Sequence, residues 1–339
     1  MGSRTKSIAI IACDHGYGHI RRALQIAVKL AALKWQVHLL APAEAVKTLK
    51  RVNKLSSNLK IIDFKAGIEA KRVKKGEASA WIKRLPSLDE FDVVLSDNLV
   101  EILEVREDAI LSGSFLWHRV LEGIDQNYYQ SMEELLEIHR PRLIASELFA
   151  TDSLTRYTRF YPVGLYAADP VPQWRNQGDN LLISCGMSQE AETEYRLFLD
   201  HLAFEQKPAF ETVWVEPRLL PKEAPIWMQA ATYNADMYKG LKAAICRPGV
   251  GTLTDCLWGG AHLFCYHENG NKEMMQNANA IYKAGVGESF LVISEAYKAA
   301  FYYYKDTKKQ AYHLESLRKI SFEGVNETAE ILKNIKIDK

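Results

Sequence analysis

Residues 242–287 read KAAICRPGVGTLTDCLWGGAHLFCYHENGNKEMMQNANAIYKAGVG. Residues 243–246 are a short apolar run of strand character, and the turn Pro248-Gly249-Val250-Gly251 after it opens a helical pattern at Thr252. In a strand–turn–helix unit the first N–H groups of the helix and its positive dipole end face whatever lies beyond the strand, and the glycines let a ligand approach the backbone. A phosphate or diphosphate suits such a place, although a tight turn without a ligand gives the same letters. Residues 263–266 (LFCY) return as another strand.

The N-terminus repeats this logic. Residues 8–13 (IAIIAC) form a continuous apolar run, as in a strand buried on both faces of a parallel sheet, and run into Asp14-His15-Gly16-Tyr17-Gly18-His19. Ile20, Ala23, Leu24, Ala27, Val28 and Ala31 follow at helical spacing, so a helix is predicted from near His19, with a strand again at 37–40. This βαβ start puts Gly16 and Gly18 at the first βα junction, the ligand-binding edge of a doubly wound fold. A dinucleotide fingerprint would need glycine where Arg21 stands.

With 339 residues and 47% hydrophobic content the chain can bury two cores. Its formal net charge of +1 gives no reason to expect nucleic acid as a partner. Cys13, Cys185, Cys246, Cys256 and Cys265 are odd in number and form no CxxC pair, which speaks against a disulfide framework and a zinc site. No stretch approaches the ~18 apolar residues of a membrane span and no signal-peptide h-region opens the chain. A cytoplasmic protein is expected.

Charge is uneven all the same. Residues 47–84 hold twelve Lys or Arg against Asp63, Glu69 and Glu77. Such a run reads as a solvated helix or loop; alternatively 65–84, with Trp81 and Ile82 beside Lys83 and Arg84, makes a peripheral membrane contact or meets an anionic acceptor.

Residues 92–95 (DVVL) are a further short strand, which places Asp97 at the same sheet edge as His19, either as a helix cap or as a catalytic carboxylate. Strands are predicted at 109–111 and 143–145, and a helix over 133–139, while Ser114-Phe115-Leu116-Trp117-His118 lies near the same edge with aromatics that suit a core. Prolines at 162, 170 and 172 mark a linker over 161–172. The pattern then restarts: a strand at 181–185 ending in Gly186-Met187-Ser188, a helix at 193–201, and strands at 212–215, 243–246 and 263–266. The domains expected are 1–163, 164–324, and a C-terminal helix within 325–339 packing back on the first. Two Rossmann-like α/β halves would then face each other across a cleft.

RPGVGTLTDCLWGG, with Gln276-Asn277-Ala278-Asn279-Ala280 and Ala284-Gly285 beyond it, resembles the donor-binding half of GT-B glycosyltransferases. The pattern is similar to inverting nucleotide-sugar enzymes such as the N-acetylglucosaminyl transferase of peptidoglycan synthesis. DHGYGHIRR resembles the opening of predicted glycosyltransferases, of the non-kinase half of plant arabinokinase-like proteins, and of the UDP-sugar hydrolase of pseudaminic acid biosynthesis.

The resemblance implies that Gly249, Gly251 and Thr252 hold a donor diphosphate and that Asp255 accepts from the ribose hydroxyls, where the family usually has Glu. Gln276 would contact the sugar. The acidic residue often preceding it is here Met275, for which Glu273 would compensate. Gly186 and Ser188 belong to a loop that closes on the phosphates, and residues 233–237 match the region near the nucleobase. No DxD motif occurs in the sequence. The leaving diphosphate would thus be met by the helix N-terminus, the glycine-loop amides and Arg247, without a metal or other cofactor. His19 is the candidate base, oriented by Asp97 or Asp14, with His15 in reserve.

The function so implied is inverting transfer of a hexosyl or N-acetylhexosaminyl group from a UDP- or dTDP-sugar to a hydroxyl acceptor, the acceptor being anionic or lipid-linked if the basic segment binds it. The alternatives are a UDP-sugar hydrolase of the same fold and a non-catalytic nucleotide-sugar-binding protein.

Overall fold

A computed structural model describes residues 5–49, 56–66, 78–121, 123–174, 178–186 and 191–335. The chain forms two units, Met1–Ala168 with Glu323–Lys339, and Asp169–Phe322.

The strands of the first unit are β1 (Ser7–Ile11), β2 (Gln36–Ala41), β3 (Leu59–Asp63), β4 (Val93–Asp97), β5 (Ile110–Ser112), β6 (Arg142–Ser146) and β7 (Arg159–Val163). They lie in the order β3-β2-β1-β4-β5-β6-β7, with every pairing parallel. The apolar runs are continuous because both faces are covered, and the two-residue period divides them. Ala9, Ile11 and Cys13 join Val94, Leu111, Leu143 and Ala145 in one core, with Tyr128, Met132 and Leu136 of the helix Gln126–His139. Ile8, Ile10 and Ala12 join Val93, Leu95, Ile110 and Ile144 in the other. That second face is covered by the helix Tyr17–Ala32 through Ile20, Ala23, Leu24, Ala27 and Leu30, while Val28 faces outward.

The C-terminal helix Gly324–Asn334 adds Ala329 and Leu332 to the same core. It is tied in by Gly324 N–H to the Leu165 carbonyl (3.1 Å) and Gly164 N–H to Glu327 Oε2 (2.6 Å).

In the second unit β8 (Asn180–Ser184), β9 (Val213–Val215), β10 (Met228–Ala230), β11 (Leu241–Cys246), β12 (His262–Tyr266) and β13 (Gly287–Phe290) lie in the order β10-β9-β8-β11-β12-β13. These pairings too are all parallel. Leu181, Ile183, Ala243, Ile245, Phe264 and Tyr266 form one core with Tyr195, Leu199, Ala296, Ala300 and Tyr303. The helix Val250–Gly259 packs on β11 and β12. It ends in a Schellman arrangement, Ala261 N–H to Cys256 O and Gly260 N–H to Leu257 O, which needs the left-handed φ of +99° at Gly260.

Several expectations are corrected. Residues 161–163 belong to β7, not to a linker; β7 is an edge strand, where Pro162 costs no ladder bond on its open side. The strands β3, β10 and β13 escaped the hydrophobic pattern because they are short, or polar at alternate positions, and β3, β10 and β13 all lie at sheet edges. Trp81 and Ile82 are 1% and 8% exposed and sit in the first core, so neither is available to a membrane. Arg84 is spent on the carbonyls of Lys65 and Ala66, and residues 67–77 of the basic segment lie outside the described residues. All five cysteines are buried thiols, outside any disulfide. Among the described residues no helix is long and apolar enough to cross a membrane.

Candidate active site

In the first unit the carboxyl edge of the sheet gathers one polar cluster. The helix Tyr17–Ala32 begins after Gly16, whose φ of +93° turns the chain out of β1 and which has no side-chain cap. Its first turn therefore delivers His19 over the end of β4, the last residue of which is Asp97. His19 Nδ1 lies 2.9 Å from Asp97 Oδ2. Three residues on, and so on the same helix face, Arg22 directs Nε (2.9 Å) and Nη2 (2.5 Å) to Asp97 Oδ1. Ser112, paired with Asp97 in the β4–β5 register, donates its hydroxyl to the same oxygen at 3.0 Å.

Asp97 is 1% exposed. Burial alone would raise its pKa, but the Arg22 guanidinium and His19 hold it below the usual carboxylate range. An ionised Asp97 only accepts, so in a neutral His19 ring the hydrogen between them belongs on Nδ1 and the lone pair on Nε2. Asp97 is not a helix cap: the 3-10 turn Val100–Glu104 has Leu99 at its N-cap and no side-chain cap.

Aromatic rings back the imidazole, with Trp117 at 5.8 Å and Phe115 at 6.0 Å between centroids. Both are buried, as expected of core residues. His15 is exposed and meets Trp117 edge-on at 4.9 Å. Next to Asp97, Asn98 adopts φ +58° and lies against Gly113, where an added Cβ would fall 1.2 Å from the Asn98 Oδ1. Gly113 itself has φ +133°, which strains any side chain, so glycine is favoured there on both counts.

In the second unit the carboxyl edge carries the glycine turns. Gly249 caps the helix Val250–Gly259, which has no acidic residue in its first turn and no side-chain cap, and among the described residues nothing lies within 4 Å of a Cβ placed on Gly249. Gly251, Thr252 and Asp255 are half-buried along the first turns of this helix. Arg247 follows β11 and is held by Glu268, which follows β12, through Nε at 3.0 Å. Its N–H donates to the Ser184 carbonyl (3.2 Å), which brings the Gly186 turn alongside.

That turn, with φ +61° at Gly186, is fastened by Arg218, which donates to the Gly186 carbonyl, to Glu216 and to Glu192. Ser184 Oγ donates to Glu216 (3.0 Å) and lies 3.3 Å from the hydroxyl of Tyr233, whose φ is +51°. Gln276 and Glu273 stand half-buried on the helix Lys272–Lys283. This helix reaches the glycine turn through Asn277 Nδ2 and the Pro248 carbonyl. Ser188 lies outside the described residues.

Sequence reading missed Arg22, Ser112, Asn277, Glu268 and the Glu216–Arg218 pair. Arg22 carried a signal in its i+3 spacing from His19, and Glu216 and Arg218 stand two residues apart; Ser112, Glu268 and Asn277 meet partners 15 to 29 residues away.

The site residues thus fall into two groups, one per unit, each at the carboxyl edge of its own parallel sheet. No protein-family model matches the chain, and no curated protein sequence matches it. Solved structures do. The calicheamicin glycosyltransferase CalG4 is 14% identical with a TM-score of 0.68, over 97% of this chain and 98% of that one. The spinosyn rhamnosyltransferase SpnG complexed with thymidine diphosphate is 15% identical at 0.66, over 97% and 100%. UGT89C1 of Arabidopsis thaliana complexed with UDP-L-rhamnose is 12% identical at 0.61, over 97% and 100%. At these identities the likeness establishes the fold, which is GT-B.

Proposed function

We propose that the chain is a metal-independent, inverting glycosyltransferase that moves a hexosyl or N-acetylhexosaminyl group from a UDP- or dTDP-sugar to a hydroxyl acceptor. The observation that carries the reading is the His19–Asp97 pair at 2.9 Å, a half-buried imidazole on a buried carboxylate, set at a helix start on the carboxyl edge of the first sheet of a GT-B fold. The names of the structural neighbours support it: glycosyltransferases, one complexed with thymidine diphosphate and one with UDP-L-rhamnose.

In this reading His19 Nε2 takes the proton of the acceptor hydroxyl as its oxygen attacks the anomeric carbon, and the bond from that carbon to the diphosphate breaks on the opposite face. Asp97 keeps the imidazole in the Nδ1–H form and stabilises the imidazolium as it forms. The nucleoside diphosphate leaves with the bond's electron pair. Its charge is met by main-chain N–H groups at the start of the helix Val250–Gly259, by the hydroxyl of Thr252 and by Arg247. Asp255 accepts from the ribose hydroxyls, and Gln276 and Glu273 contact the sugar. Each hydrogen bond of this kind contributes only ~1.5–3 kcal/mol when the group is charged, so several must act together.

The experiment is turnover of UDP- and dTDP-sugars with and without hydroxyl acceptors, with the anomeric configuration of the product read by NMR. Acceptor-dependent release of nucleoside diphosphate with inversion, lowered about 10²–10⁴-fold in His19→Ala while UDP binding persists, is the expected result. Rapid multiple turnover without acceptor would identify a hydrolase instead. Binding of UDP-sugars without any turnover would reduce the chain to a nucleotide-sugar-binding protein.

A further inference from the structure

Asp97 receives four donors, and they are divided unequally between its oxygens. Among the described residues, Oδ1 takes Arg22 Nε, Arg22 Nη2 and Ser112 Oγ, and Oδ2 takes His19 Nδ1 alone. We propose that Arg22 is a positioning residue: its fork confines Asp97 to one orientation and reserves Oδ2 for His19, so that Nε2 remains the proton acceptor. The inference rests on the reading of His19 as the base and deepens it.

The geometry leaves little room for another arrangement. A carboxylate bound by one imidazole can turn about its Cβ–Cγ bond and present either oxygen, and the imidazole can follow it. Three donors on Oδ1 remove that freedom. Arg22 Nη2 also lies 3.3 Å from His19 Nδ1. A donor there would favour an unprotonated Nδ1, but that would set its lone pair against Oδ2, so the short contact to Oδ1 is where Arg22 spends its hydrogens.

Arg22 is itself placed by the fold. Its side chain is 10% exposed, and its guanidinium carbon stands 5.9 Å over the ring of Tyr166, whose hydroxyl lies 3.0 Å from Thr328 Oγ1 on the C-terminal helix. A lysine would keep the charge and lose the fork, which makes the substitution informative.

The test uses the full chain with Arg22→Lys and Arg22→Met. In Arg22→Lys, kcat for the acceptor-dependent reaction is expected to fall about 10–100-fold, the scale of a small misplacement of a catalytic group. KM for the donor and Kd for UDP should stay within about twofold, since the interaction removed is not one that binds substrate. Nitrogen-15 spectra of the histidine ring should show one tautomer, Nδ1–H, for His19 in the parent and a mixture in Arg22→Lys.

Wild-type kcat together with an unchanged single tautomer in Arg22→Lys would overturn the proposal. Arg22→Met strands a buried carboxylate and is read only by its melting transition; if it does not fold, Arg22→Lys and Ser112→Ala, which removes one Oδ1 donor, carry the test. Should the parent chain transfer no sugar, the reading of His19 as base falls, and the spectra alone decide whether Arg22 orders the pair.

Discussion

Asn277 donates its side-chain amide to the carbonyl of Pro248 at 2.9 Å, across 29 residues of sequence, and is 1% exposed. The helix Lys272–Lys283 thereby pins the turn that opens the helix Val250–Gly259. Replacing Asn277 with leucine keeps the volume and leaves the Pro248 carbonyl unpaired, at an expected cost of ~1–3 kcal/mol. Urea unfolding measures that loss. Calorimetric titration with UDP should show weaker binding in the folded variant, because the turn is no longer fixed; unchanged affinity would mean that the turn holds its shape without Asn277.

Two glycines near this helix make opposite predictions. Gly249 has φ −74° and open space where a side chain would go, so Gly249→Val should leave the melting temperature nearly unchanged and lower the affinity for nucleoside diphosphates. Gly259 has no such space, since its Cβ would fall 2.1 Å from the Tyr238 carbonyl oxygen. Gly259→Ala should therefore destabilise the second unit, on the ~1–3 kcal/mol scale of overpacking. A thermal melt with and without UDP separates the two effects. A Gly249→Val variant that melts as the parent does and binds UDP equally well would remove this turn from the donor site.

Three buried histidines set the acid limit of stability. Burial pushes His118 down to about 4 and His313 down to about 3, and lowers His262 as well. A group whose folded pKa lies below its unfolded value binds protons preferentially in the unfolded chain. Stability is thus full above pH ~6.5 and falls as pH drops toward the folded values, by up to about 1.4 kcal/mol per pH unit for each histidine. Urea midpoints from pH 7.5 to pH 4.5 should show this slope, and His313→Asn should make it shallower. A flat profile would show that these rings are solvated.

Glu101 works in the other direction. It is 1% exposed, and burial raises its carboxyl to about 7 against the donated hydroxyl of Tyr128 (2.7 Å). The folded chain retains this proton where the unfolded chain has lost it, so the stability linked to Glu101 declines as pH rises from ~4.5 to about 7 and stays lower above that. Glu101→Gln should consequently be more stable than the parent at pH 8 and differ little at pH 4.5. A variant less stable than the parent at pH 8 would mean that the charged carboxylate is tolerated there.

The apolar runs that became β1, β4, β8, β11 and β12 were legible because a strand covered on both faces needs no polar alternation. The edge strands β3, β7, β10 and β13 were not, since an edge is partly solvated and tolerates Lys60, Pro162, Gln229 and Glu288. His19, Asp97 and Gly249 could be singled out from the sequence because each follows or ends such a run. Their partners Arg22, Ser112 and Asn277 hold ordinary polar positions until the chain folds.

The sequence by itself determined two parallel α/β units with a glycine turn at a strand end in each, because hydrophobic period and turn chemistry are local properties of the chain. Only the tertiary structure decided that Asp97, and not Asp14, meets His19 Nδ1, that Arg22 and Ser112 share the other oxygen, and that Trp81 is core and no membrane anchor. Those outcomes depend on strand order and register. β4 lies beside both β1 and β5, so residues 19, 97 and 112 converge at one edge, a juxtaposition that no spacing along the chain contains.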